Sequence, residues 1–280
     1  MGVWMFPGQG SQHIGMGAEL FARYPDWVQQ ADATLGYSIE QLCRHDPKQQ
    51  LDQTQYTQPA LYVVNAMTHR QHAQTHAPAQ WLLGHSLGEY NALLAAGVFD
   101  FVTGLQLVQQ RGALMSQQQG GSMAVCLGLS QQDVQQALQQ AKLNDVDITN
   151  INTPQQIVIA GPKKPIADAC DVLTQAGAKR VVPLAVSGAF HSRYMQPAQQ
   201  KFARYIKNFT FTPPQIPVIA NITALPYEAN NIHNTLVQQI AKPVRWSDSI
   251  SFVLNQGQDH FEELGPGKVL SGLLRKIRCV

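Results

Sequence analysis

Between the apolar run Trp81-Leu82-Leu83 and a helix-forming run over residues 89–96, the chain reads Gly84-His85-Ser86-Leu87-Gly88. A buried strand leading directly into a helix through a Gly-x-Ser-x-Gly turn has the geometry of a nucleophile elbow. The two glycines are required because the serine is held in a strained backbone while its neighbours pass close by, and a side chain at either position collides with the turn. The turn exposes the Ser86 hydroxyl and sets it near a helix N-terminus, whose unpaired N–H groups can face an oxyanion. The plainer alternative is a glycine-rich strand-to-helix turn in which Ser86 only caps the helix.

The rest of the chain fits around such a turn. Residues 3–6 read as a short buried strand stopped at Pro7, followed by the loop Gly8-Gln9-Gly10-Ser11-Gln12. This loop is neither a dinucleotide fingerprint, since His13 stands where the third glycine belongs, nor a P-loop, since it lacks the lysine. Its expected service is flexible backbone beside another reactive centre. Residues 56–73 form a long periodic segment whose helix is expected to start near Gln58-Pro59, with Pro59 in its first turn. His69, His72 and His76 near its end share one helical face, but no carboxylate or cysteine completes a metal set, so no metal is expected. A helix over residues 101–117 carries Arg111 among Val108, Leu114 and Met115. Arg111 either snorkels out of an apolar stripe or is a buried guanidinium offering a fork to a carboxylate.

From Gly120-Gly121 the pattern changes to β-α-β-β-α-β, the order of a ferredoxin-like unit, ending near residue 185. The expected fold class is therefore α/β: a large α/β-hydrolase-like domain with a parallel sheet and nucleophile elbow, and an inserted small ferredoxin-like α+β subdomain. The boundaries are 1–119 and 189–280 for the large domain and 120–188 for the insert, with the active-site cleft between them. His191 stands where the chain returns from the insert, at a strand-to-helix loop, and is the candidate general base for Ser86.

The balance of 20 Lys+Arg against 18 Asp+Glu, without a block of like charges, argues against nucleic acid or an anionic membrane as a partner. Four scattered cysteines without metal spacing fit free thiols in a reducing, cytoplasmic setting. The first residues carry no basic stretch of a signal peptide, and no apolar run reaches membrane-span length. A monomer is compatible with the near-neutral composition.

Taken together, Phe6-Pro7-Gly8-Gln9-Gly10-Ser11-Gln12, Gly84-His85-Ser86-Leu87-Gly88-Glu89-Tyr90, Arg111, Ala189-Phe190-His191-Ser192 and Gly265-Pro266-Gly267-Lys268 resemble malonyl-CoA:acyl carrier protein transacylases over essentially the whole length. Within that family the style is similar to the discrete, trans-acting acyltransferases of modular polyketide synthases. The resemblance implies that Ser86 is acylated, with His191 as its base and Arg111 paired with the malonyl carboxylate. It also implies an oxyanion hole from the backbone N–H groups of Gln9 and Leu87, and a histidine oriented by the backbone carbonyl of Gln239. Phe190 matches the family's association with malonyl over methylmalonyl. No bound cofactor is implied; malonyl-CoA is the substrate and an acyl carrier protein, of polyketide or fatty-acid synthesis, the partner. The competing reading is a hydrolase that clears stalled acyl groups from carrier proteins, for which a buried cation has little use.

Overall fold

A computed structural model describes residues 2–279. Four strands, β1 (Val3–Phe6), β2 (Trp81–Gly84), β7 (Val218–Ile219) and β8 (Phe261–Glu263), form one sheet in the order β7-β2-β1-β8. Every pairing in it is parallel. Side chains alternate across a strand, so Trp4 and Phe6 enter one core while Val3 and Met5 enter another. The first core packs helices α4 (Thr54–His72), α5 (Gly88–Ala95) and α6 (Phe101–Ser116) on one face. The second packs α11 (Trp246–Asn255) and α12 (Val269–Arg278) on the other. Helices on both faces explain why β1 is apolar at every position.

The second sheet is antiparallel, in the order β4-β5-β3-β6. Its strands β3 (Gly121–Leu127), β4 (Asp147–Thr153), β5 (Gln156–Pro162) and β6 (Arg180–Pro183) alternate with α7 (Gln131–Gln140) and α8 (Lys163–Gln175) as the ferredoxin-like order requires. Ser130 and Asp133 close the capping box that starts α7. One face of this sheet packs on its own helices through Ala124, Cys126, Ile157 and Ile159. The other sends Met123, Val158 and Ala160 into the core of the larger sheet. Paired hydrogen bonds, Ile151 N–H to the Val244 carbonyl and Val244 N–H to the Thr149 carbonyl, join the small sheet's edge to the segment before α11.

Two expectations need correction. Helix α4 begins at Thr54, and Pro59 lies inside it rather than in its first turn. The Tyr56 and Thr57 N–H groups both bond the Gln53 carbonyl, so the helix is nucleated before the proline arrives. The helix also ends at His72, which leaves His76 in the following turn. His69 turns its ring edge-on to Trp4 and Phe6, while His72 and His76 stack on each other. The three histidines therefore do not share one helical face.

Candidate active site

Strand register builds the site. Phe6 pairs with Gly84, so β1 and β2 end level and the loop after each emerges side by side. A Cβ on Gly88 would lie 2.0 Å from the Phe6 carbonyl oxygen, and one on Gly84 2.0 Å from the Gly88 backbone. The elbow thus closes only with hydrogen at both positions. Gly88→Ala is expected to destabilise the fold by about 3 kcal/mol or more, because the obstacle is backbone and cannot rotate away. Urea unfolding checks this, and an unchanged midpoint would contradict the packing.

Ser86 itself sits at φ 52, the left-handed region that non-glycine residues seldom occupy. Asn221 holds it there: its Oδ1 accepts the Ser86 N–H at 2.7 Å and its Nδ2 donates to the Gly84 carbonyl at 2.7 Å. His191, also left-handed at φ 59, brings Nε2 to 2.7 Å from Ser86 Oγ. Its Nδ1 lies 2.8 Å from the Gln239 carbonyl oxygen. A carbonyl only accepts, so Nδ1 carries the proton and Nε2 presents its lone pair to the serine hydroxyl.

Arg111 is 1% exposed, which excludes snorkelling. Its Nη1 donates to Gln58 Oε1 at 2.6 Å, and its Nη2 to Gln239 Oε1 at 2.9 Å and Ser86 Oγ at 3.2 Å. Its Nε is buried without a hydrogen-bond partner among the described residues. The Gln239 side chain continues the network, its Nε2 donating to the Ser86 carbonyl at 2.8 Å and to Glu89 Oε2 at 2.7 Å. Glu89, fully buried, also accepts from the Tyr227 hydroxyl and the Asn221 N–H.

Burial, with the charge of Arg111 adding to it, pulls the His191 pKa from 6.5 down to about 3, against the opposing Gln239 carbonyl contact. The ring is therefore neutral and able to accept a proton at neutral pH. We expect kcat/KM for acyl transfer to stay flat down to about pH 5; an acid limb centred near the ordinary histidine value would show that His191 titrates as an exposed ring. Burial acts oppositely on Glu89, raising its pKa from 4.5 to about 7 despite hydrogen bonds from Tyr227 and Gln239. The signs follow from linkage. A depressed histidine contributes stability above its unfolded value of 6.5 that is lost as pH falls toward about 3. A raised carboxyl contributes stability at low pH that is lost as pH rises from 4.5 through about 7. Glu89→Gln removes the second slope and leaves the first, so its stability is expected to climb more steeply than the parent's between about pH 5 and about pH 6.5. Urea unfolding at those two pH values measures the difference, and parallel curves would contradict the raised carboxyl.

Ser86, His191 and Arg111 line a cleft of about 170 Å³, together with Gln9, Leu87 and Phe190 on one side and Met123, Asn150, Asn152 and Val158 of the small sheet on the other. The Gln9 and Leu87 backbone N–H groups have no hydrogen-bond partner among the described residues. His85 lines the cleft too but spends its Nε2 on Asn152 Oδ1 at 2.8 Å, which ties the elbow to the small sheet. The structure thus brings together every site residue singled out from the sequence, from Gln9 to Gln239. It adds four that the sequence reading missed: Gln58, Glu89, Asn221 and Tyr227. Only Glu89 carried a signal, as the one charged residue of α5.

The family described as "Acyl transferase domain" matches residues 3–276. The polyketide biosynthesis malonyl CoA-acyl carrier protein transacylase BaeC of Bacillus velezensis is 50% identical over 280 residues, covering 99% of this chain and 96% of its own length. A malonyl CoA-acyl carrier protein transacylase from Burkholderia pseudomallei superposes with a TM-score of 0.96 at 48% identity, covering 100% of this chain and 98% of the other. A malonyl-transacylase solved in complex with its type II polyketide-synthase acyl-carrier protein superposes at 0.93, with 38% identity, covering 98% and 92% of the two chains.

Proposed function

Since the chain belongs to the malonyl-CoA:acyl carrier protein transacylase family, we infer that it carries a malonyl group from coenzyme A to the phosphopantetheine thiol of an acyl carrier protein, by way of an acyl-serine at Ser86. The observation that carries the substrate assignment is Arg111. It is a buried guanidinium that lines the cleft, with Nη2 3.2 Å from Ser86 Oγ. A malonyl ester on Ser86 brings its free carboxylate to this guanidinium, and a charged fork is the group best shaped to hold it. An acetyl group brings nothing for it to bind.

The reaction follows from the geometry. His191 Nε2 takes the Ser86 proton as Oγ attacks the thioester carbon, and the carbonyl oxygen becomes an oxyanion. The backbone N–H groups of Gln9 and Leu87, two residues that line the cleft, are the donors we assign to that oxyanion. The C–S bond then breaks, the proton passes from His191 to the departing thiolate, and coenzyme A leaves. The carrier thiol repeats the sequence in reverse, with His191 taking its proton and returning it to Ser86 Oγ. When the malonyl carboxylate neutralises Arg111, one of the influences depressing His191 is relieved, so the base strengthens once the right acyl group is present. Phe190, at the cleft wall, competes with the extra methyl of methylmalonyl, a discrimination of order 1–3 kcal/mol.

The same reading divides the chain into a larger unit, residues 1–119 and 189–280, and an inserted unit, 120–188, with the cleft at their junction. No described helix is long and apolar enough to cross a membrane. The pathway served is polyketide synthesis, in keeping with the polyketide biosynthesis named for the Bacillus velezensis relative. An acyl-CoA panel offered with one polyketide and one fatty-acid carrier protein, following transfer and hydrolysis together, tests the assignment. Malonyl transfer exceeding hydrolysis, and fastest to the polyketide carrier, is the expected result. Preferential release of acetyl from a loaded carrier would instead establish the hydrolase.

A further inference from the structure

We propose that the junction between the C-terminal end of α4 and the edge strand β8 is a binding site for a divalent transition metal of the zinc class, held by His72, His76 and Glu262. None of these residues lines the catalytic cleft. The sequence reading found no carboxylate to complete the histidines, because Glu262 is remote in the chain. Strand pairing of Glu262 with Trp4 delivers it to the helix end.

The donor atoms of the three residues lie within 4.8 Å of one another. His76 Nδ1 is engaged locally, 3.1 Å from the His72 carbonyl oxygen and 2.9 Å from Thr75 Oγ1, which leaves Nε2 as the ring nitrogen free to ligate. His260 Nε2 is 2.6 Å from Glu262 Oε1, so Oε2 is the oxygen left over. That Oε2 lies 2.7 Å from His72 Nε2 at ion-pair distance, yet the contact is off the line of a hydrogen bond and the buried nitrogen has no hydrogen-bond partner among the described residues. A cation shared between the two atoms resolves this contact.

Two imidazoles and one carboxylate suit zinc and its neighbours, whereas calcium and magnesium demand oxygen throughout. The negative end of the α4 dipole points at the same place. Loading requires small movements. Bonds of about 2.0–2.1 Å in a tetrahedral centre set donors roughly 3.3 Å apart, so Oε2 withdraws slightly from His72. The rings of His72 and His76 now stack at 3.8 Å and 11°, and the exposed His76 ring tilts to converge on the ion. The filled site clips a helix end to a sheet edge, so binding raises the stability of the folded chain.

The test uses the full-length protein stripped with a chelator, titrated with zinc by calorimetry and melted with and without zinc. One zinc per chain and a raised Tm are expected. His76→Ala, at an exposed position, and Glu262→Gln are each expected to weaken binding by roughly tenfold or more and to abolish the Tm rise. Malonyl transfer by His76→Ala without zinc stays at the parent level. His45→Ala, at another exposed histidine, leaves binding intact. Absence of binding to the parent, full binding by both site variants, or loss of binding in His45→Ala would each overturn the proposal.

Discussion

Ser86→Ala is expected to leave a folded protein that takes no label from malonyl-CoA, with transfer reduced roughly 10⁴-fold or more. The size follows from chemistry that has no substitute. His191 Nε2 is aimed at Oγ and at no other nucleophile, and both halves of the reaction pass through the bond that Oγ forms. The fold should survive, because alanine keeps the Ser86 N–H bonded to Asn221 and its carbonyl bonded to Gln239. The left-handed backbone strain is the same for both residues. Intact-mass measurement after incubation with malonyl-CoA, beside an unfolding curve, separates lost chemistry from lost structure. Label persisting on the variant would remove Ser86 from the mechanism.

Arg111→Ala is expected to lower malonyl transfer by roughly 10²–10³-fold while acetyl transfer falls far less, so that the ratio of the two inverts or nearly so. A malonyl carboxylate entering the cleft of this variant loses its water and gains no cation. The replacement also deprives Gln58 and Gln239 of their donor and Glu89 of a nearby positive charge, so some loss of stability accompanies it. Arg111→Lys separates the effects by keeping the charge without the fork, and should recover only part of the malonyl rate. Steady-state rates with malonyl-CoA and acetyl-CoA, measured on both variants, decide the matter. An unchanged malonyl preference in Arg111→Ala would refute the carboxylate role.

The elbow was legible in the sequence because its constraint is local: two glycines, a strand before and a helix after leave little freedom. The small sheet was legible for a similar reason, since each strand and helix carries its own periodicity and the capping box at Ser130 marks a helix start. What could not be read was the polar floor of the site. Asn221, Gln239 and Glu89 become partners only when segments more than 130 residues apart are folded together. In the bare chain a glutamine in the run Gln238-Gln239 looks like any solvated residue. The Gln239 backbone carbonyl was reached through family resemblance, but its side chain, which touches Arg111, Ser86 and Glu89 at once, left no local trace. The carboxylate beside the histidines at the end of α4 left no local trace on the same ground, since Glu262 comes from β8.

The Glu89 network also limits how such a chain can change over evolutionary time. Tyr227, Asn221 and Gln239 each aim a donor at one buried carboxylate, and Gln239 passes the constraint to Arg111. Exchange of any single member strands the others without water to compensate, so tolerated variants should arise as concerted sets rather than singly. A lineage acquiring a new acyl preference would accordingly have to rewrite the floor beneath the arginine together with the arginine, and chimeras that transplant position 111 alone should inherit the penalty without the new specificity.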